Sequence, residues 1–203
     1  MPGVTRIALT GNIASGKSAV AAVWRGNGAV IIDADELARR AVAPGTRGLR
    51  RVVRTFGRSV LGPDGTLDRA ALRRVVFTDE RKRRQLEDII HPEVDRLRRA
   101  AEREAVAAGA RYVVHVIPLL FEKGLAEGFP VVVLVDAPEQ LRLDRIVQTR
   151  GVAPDEARRM IAAQQPAAAN RARATHVIDN AGTLEELERR AEDVWAQIEA
   201  AAP

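Results

Sequence analysis

Cysteine is absent from the 203 residues, which excludes disulfides and every zinc site built on thiolates. Aromatic side chains make up only 3% of the chain, too few for the stacking platforms on which single-stranded nucleic acids bind. Long apolar runs are also missing. The stretches around Tyr112–Phe121 and Phe129–Val135 are interrupted by His115 and Pro118 or bounded by Pro130, and both fall well short of the ~20 residues that span a bilayer. The N-terminus has no basic segment leading into an apolar signal core. Lysine is scarce: nearly all of the 32 basic residues are arginine, and against 27 acidic residues they leave a net charge of +5. That excess suits an anionic small molecule as well as it suits a polynucleotide. Together these features predict a cytoplasmic protein with a small-molecule substrate, no nucleic-acid or membrane partner, and a monomeric or weakly homo-oligomeric state.

A 46% apolar fraction over this length is enough for one substantial core with room for an insertion. Five short Val/Ile/Leu-rich segments alternate with helical patterns: Ile7–Thr10, Ala29–Ile32, Tyr112–Ile117, Val131–Val135 and His176–Ile178. Such segments predict a parallel sheet covered on both faces, a three-layer α/β fold. About 80 residues separate the second and third of them, far more than one crossover of about a dozen residues needs. A helical insertion therefore belongs there, with pieces at Gly48–Phe56, Asp68–Phe77 and Asp79–Ala108, the last broken or bent at His91-Pro92. Turns are expected at Pro44-Gly45 and Asp64-Gly65. A second, smaller helical insertion runs from Pro138 to Arg150, stops at Gly151, and resumes at Pro154. The predicted division is a core of 1–45, 110–137 and 174–203, a substrate-binding insertion of 46–109 and a lid of 138–173. The last helix opens with Thr183-Leu-Glu-Glu186, a capping box.

Directly after the first strand, Gly11-Asn-Ile-Ala-Ser-Gly-Lys-Ser18 fits G-x-x-x-x-G-K-S, the phosphate-binding loop. Glycines let successive amides face one anion, Lys17 adds a point charge, and the Ser18 hydroxyl is the candidate ligand for Mg²⁺. The helix that follows brings its N-terminal amides to the same spot. At the carboxyl end of the second strand stand Asp33 and Asp35, where ligands of open α/β sheets bind. One acid can cap the next helix while the other serves as a proton acceptor, and the residue types alone leave that division open. Pro118-Leu-Leu-Phe121 follows the third strand to the same edge and reads as strand punctuation and core. His91 reads as a helix-boundary residue. Arginines 142, 145, 150, 158 and 159 crowd the second insertion; most read as a solvated helix face, with one or two available to neutralise a moving phosphoryl group.

In order and spacing these segments resemble the dephospho-coenzyme A kinase family. The resemblance rests on the phosphate loop, Val30-Ile-Ile-Asp-Ala-Asp35 with Leu37-Ala-Arg39, Gly65-Thr-Leu-Asp-Arg69, Ile90-His-Pro92, Pro118-Leu-Leu-Phe-Glu122, Arg145 with Arg150, Ile161-Ala-Ala-Gln164 and Val177-Ile-Asp-Asn180. It implies a five-stranded P-loop kinase core related to the nucleoside monophosphate kinases, with a helical substrate domain and a lid. It further implies ATP on Gly11 and Ala14–Ala19 (Ala14, Ser15, Gly16, Lys17, Ser18, Ala19), with its adenine near Asn180. Asp35 would be the base; Lys17 and Arg145 would stabilise the transferring group. Asp33, Arg39, His91, Pro118, Leu119, Leu120, Phe121 and Arg150 would contact the acceptor. Ala14 and Ala19 stand where the family commonly has glycine and a second hydroxyl, and Asn170 and Ala174-Thr175 also depart from its pattern. Another small-molecule or nucleotide kinase is the alternative reading. A switch GTPase or nucleic-acid motor is disfavoured, since the chain lacks Asn-Lys-x-Asp and an acidic end to its third strand.

Overall fold

The computed structural model describes residues 3–77 and 79–202. Five strands form one sheet in the order β2-β3-β1-β4-β5: β1 (Thr5–Thr10), β2 (Val30–Asp33), β3 (Tyr112–Val116), β4 (Val131–Asp136) and β5 (His176–Asp179). Each predicted strand is present. β1 pairs in parallel with β3 and β4, and β4 in parallel with β5, with registers such as Ile7 opposite Val114 and Val131.

The chain divides into two compact units, one made of residues up to 32 and from 105 onward, the other of Asp33–Glu104. In the first, strand alternation sorts the apolar residues onto two faces. Ile7, Leu9, Val114, Val116, Val133, Val135 and Ile178 meet α1 (Lys17–Gly26) and α9 (Leu184–Ala201) through Val20, Trp24, Leu187, Ala191, Trp195 and Ile198. Burying each such large side chain contributes about 1.5–3 kcal/mol. Trp24 is fully buried and donates its indole N–H to the Ala191 carbonyl at 2.9 Å, so this polar atom is not stranded in the core. On the opposite face, Ala8, Val132 and Leu134 pack with Ile117, Leu120 and Phe121. The Thr183 capping box that opens α9 is formed, with Glu186 reaching back to the Thr183 amide.

The second unit is helical: α2 (Ala34–Ala41), α3 (Arg47–Phe56), α4 (Arg69–Phe77) and α5 (Glu80–Ala107), the last of which continues beyond it. Val42, Val52, Val60, Leu72 and Ile89 form its core. The expected turns are present, with Gly45 at φ +80 and Gly65 at φ +76, and Asp64 accepting from the Thr66 amide and hydroxyl. Of the break or bend expected at His91-Pro92, the break is absent. α5 runs through Pro92 as one 28-residue helix. His91, Pro92 and Asp88 lie on its exposed side, where water can satisfy the Asp88 carbonyl that proline cannot bond. Ile89 meanwhile anchors the other side in the core.

The smaller insertion folds as α6 (Glu139–Arg150), α7 (Pro154–Ala162) and a short α8 (Ala168–Arg171) that the sequence pattern did not foreshadow. α6 ends at Gly151 in the left-handed conformation, and Pro154 stands in the first turn of α7, as predicted.

Candidate active site

The loop between β1 and α1 is held in a conformation that only its own residue types permit. Gly11 has φ +149 and Gly16 φ +103. A Cβ at Gly11 would collide with the Val135 carbonyl oxygen, and one at Gly16 with the Asn180 amide nitrogen and, at 3.0 Å, a Leu187 methyl. Both motif glycines are therefore required by space as well as by dihedral angle. Ala14 adopts φ +58, and its Cβ there costs about 1–2 kcal/mol of strain. Ile13 and Ala14 pack against Ile146, Ala157 and Ile161 of α6 and α7, which offsets that strain. Lys17 lies across the loop, its ammonium donating to the Gly11 and Asn12 carbonyls at 2.7 and 2.9 Å. Those bonds gather the loop's carbonyls on the lysine. Ser18 is exposed at the start of α1, whereas Ser15 is fully buried and its Oγ has no partner among the described residues.

Residues distant in sequence finish this loop. The Asn12 side chain donates to the Gln165 carbonyl, and the Ile13 amide to Gln164 Oε1 at 2.8 Å. Asn180, buried just beyond β5, donates to the Ser15 carbonyl at 2.8 Å and accepts from Arg145 at 3.1 Å. Arg145 also donates to the Ala14 carbonyl. Asn180 and Arg145 are thus part of the loop's frame. One turn before Arg145 on α6, Arg142 departs from the predicted solvated face: it is buried, and its Nε and Nη1 have no hydrogen-bond partner among the described residues. Arg150 is exposed at the end of the same helix. Nearby strand ends are tied by Arg171, which meets Asp136 at 2.9 Å and Asp179 at 2.6 Å. The guanidinium holds the Asp179 carboxyl below the usual carboxylate range, and these two acids raise Arg171 in turn.

In the unit that begins at Asp33, the two acids have separate environments. Asp33 caps α2: its Oδ1 accepts from the Asp35 and Glu36 amides at 2.8 and 3.2 Å. Asp35 stands exposed in the first turn of that helix, and Arg39 is exposed one turn later. His91 is exposed on α5. The Pro118–Phe121 segment divides by burial. Leu120 and Phe121 are core, but Leu119 is exposed with φ +57, a strained setting for a branched side chain. Sequence reading missed that contrast and the burial of Arg142. Neither positive φ at leucine nor a burial-specific mark on one arginine among many is written in residue type.

The glycine cradle, the lysine across it and the helix that follows are built to receive a polyphosphate. The buried Ser15 hydroxyl leaves polar capacity within the loop unspent. Fold and loop together define a P-loop kinase. A solved structure of a Campylobacter jejuni dephospho-CoA kinase shares the fold, with a TM-score of 0.70, 23% identity, and coverage of 95% of this chain and 96% of that one. The chain belongs to the dephospho-CoA kinase family, whose model matches residues 5–186. A Streptomyces avermitilis dephospho-CoA kinase is 48% identical over 193 residues, 95% of this chain and 93% of its own. The solved structure of TT1252 from Thermus thermophilus aligns with a TM-score of 0.82 and 40% identity, covering 96% of this chain and 98% of that one.

Proposed function

We propose that this chain transfers the γ-phosphoryl group of ATP to the ribose 3′-hydroxyl of dephospho-coenzyme A, giving ADP and coenzyme A. A bond forms between the acceptor oxygen and the γ-phosphorus, and the bond from that phosphorus to the oxygen bridging it to the β-phosphate breaks. The acceptor's proton passes to the Asp35 carboxylate. Asp35 is favoured over Asp33 because Asp33 is fixed as the cap of α2, its Oδ1 accepting from two backbone amides. Lys17 and Arg145 neutralise charge on the transferring group. Arg145 also stiffens the loop through Ala14 and Asn180. Ser18 would hold Mg²⁺, which when bound draws charge from the β- and γ-oxygens. Arg39, His91, the exposed Leu119 and Arg150 are assigned to the acceptor. Among the described residues no helix is long and apolar enough to cross a membrane, in keeping with a cytoplasmic enzyme.

The observation that carries this reading is the intact loop from Gly11 to Ser18 within a chain of this family. ADP release by the purified protein is expected to be strong with dephospho-coenzyme A and weak with AMP, CMP or shikimate. A preparation that binds ATP but does not turn over dephospho-coenzyme A would sink the proposal.

A further inference from the structure

Helix α3 presents arginines at positions 47, 50, 51 and 54, the i, i+3, i+4, i+7 spacing of a single helix face. Leu49 and Val52 are buried on another. The helix contains no acidic residue, and its arginines line a cavity of about 570 Å³. Like charges one turn apart repel by about 0.2–0.5 kcal/mol per pair, so the stripe weakens its own helix. Local partners remove little of that charge. Arg50 donates to the Gly45 carbonyl at 2.6 Å, which is neutral. Arg47 lies 3.6 Å from the Glu93 carboxylate, which it shares with Arg96. Arg51 and Arg54 have no acidic partner among the described residues.

A solvated helix face normally mixes signs; this one has a single sign and is concave. Its volume is that of a small-molecule site. Guanidinium forks match pairs of phosphate oxygens, whereas a lone carboxylate would engage only one of the four. A polynucleotide calls for an extended basic surface, while an open depression confined to one helix face has room for a compact polyanion.

We infer that the arginine face of α3 binds the diphosphate group of the acceptor nucleotide. The inference rests on the functional reading above. α3 belongs to the same compact unit as α2, which carries Asp35. The two helices touch at Gly48, where a Cβ would collide with the Ala41 carbonyl. In the acceptor, the reacting 3′-hydroxyl and the 5′-diphosphate are attached to one ribose ring. An acceptor whose hydroxyl meets Asp35 therefore carries its diphosphate charge within reach of the same unit, while the phosphate loop takes the donor's phosphates.

The test uses the full chain and the double variant Arg51→Gln/Arg54→Gln. With the loop saturated by a non-hydrolysable ATP analogue, calorimetry with inorganic pyrophosphate should show binding to the wild type and at least tenfold weaker binding to the variant. In turnover, the variant should raise KM for dephospho-coenzyme A at least tenfold, leave KM for ATP within twofold, and match the wild type with adenosine offered as acceptor, which has the hydroxyl but no diphosphate. Equal pyrophosphate affinity in both proteins overturns the inference, as does an equal loss with adenosine. Arginine-dependent binding of a short RNA without any of pyrophosphate also overturns it. If the wild type binds pyrophosphate through these arginines but never phosphorylates dephospho-coenzyme A, the anion site stands while the functional reading and the acceptor assignment both fall.

Discussion

Asp33 and Asp35 lie two residues apart, and substituting each in turn separates a structural carboxylate from a chemical one. Asp33 Oδ1 accepts two amides at the start of α2, at 2.8 and 3.2 Å. Losing an N-cap costs about 0.5–2 kcal/mol. In a chain of this length each kcal/mol moves the midpoint by about 2–4 °C, so Asp33→Ala should lower Tm by about 1–8 °C. Asp33→Ser keeps a capping oxygen and should restore most of that loss. Asp35 accepts no hydrogen bond among the described residues and contributes to α2 through the helix dipole alone, about 0.3–1 kcal/mol. Its removal should be felt in rate instead: Asp35→Asn should lower kcat by about 10²–10⁴, with ATP affinity nearly unchanged. A coupled assay of ADP release, with Tm read on the same preparations, measures both. If Asp35→Asn keeps wild-type kcat, or if Asp33→Ala loses the rate while Tm stays fixed, the roles are wrongly divided.

Two further outcomes follow from contacts around the loop. Gly16→Ala forces a side chain into φ +103 and against Asn180, so it should cost about 2–5 kcal/mol in strain and a lost buried hydrogen bond, and nucleotide binding should fall with it; a Tm within a degree of wild type would refute the packing argument. Asp179 has its folded-state pKa depressed by Arg171, so its stabilisation is full above the unfolded carboxylate range and disappears as pH falls through the lower folded value. Arg171→Gln should therefore raise the pH at which the protein acid-unfolds while changing neutral-pH stability by less than about 1 kcal/mol, since the pair is largely exposed.

What was legible in the sequence was whatever has a short-range cause. The five strands were readable because both faces of the sheet are covered, which writes continuous Val/Ile/Leu runs into them. The Thr183 box and the Gly151 stop depend on neighbours three or four residues away. Asp33 and Asp35 could be nominated together but not told apart, because capping is decided by where helix α2 starts. Pro92 misled for the opposite reason: its penalty is local, but the packing of Ile89 and the exposure of the Asp88 side that offset it are not. The arginines were hardest. Arg142 and Arg145 have the same side chain one helical turn apart, yet one is buried and the other ties Ala14 to Asn180, a distinction set by contacts far along the chain.

The contact between Ser15 and Asn180, with that between Trp24 and Ala191, spans most of the chain's length. The phosphate loop is synthesised well before the residues that finish it: the donor to its Ser15 carbonyl, the seat for Gly16 and the acceptor for the Trp24 indole are supplied by residues from Asn180 to Ala191. A nascent chain therefore has the nucleotide motif long before it has a nucleotide site. Synthesis itself sets the order: the frame that holds the loop is complete only once Asn180 and α9 have been made, so a translation product halted before them carries the phosphate-binding signature without the contacts that shape it.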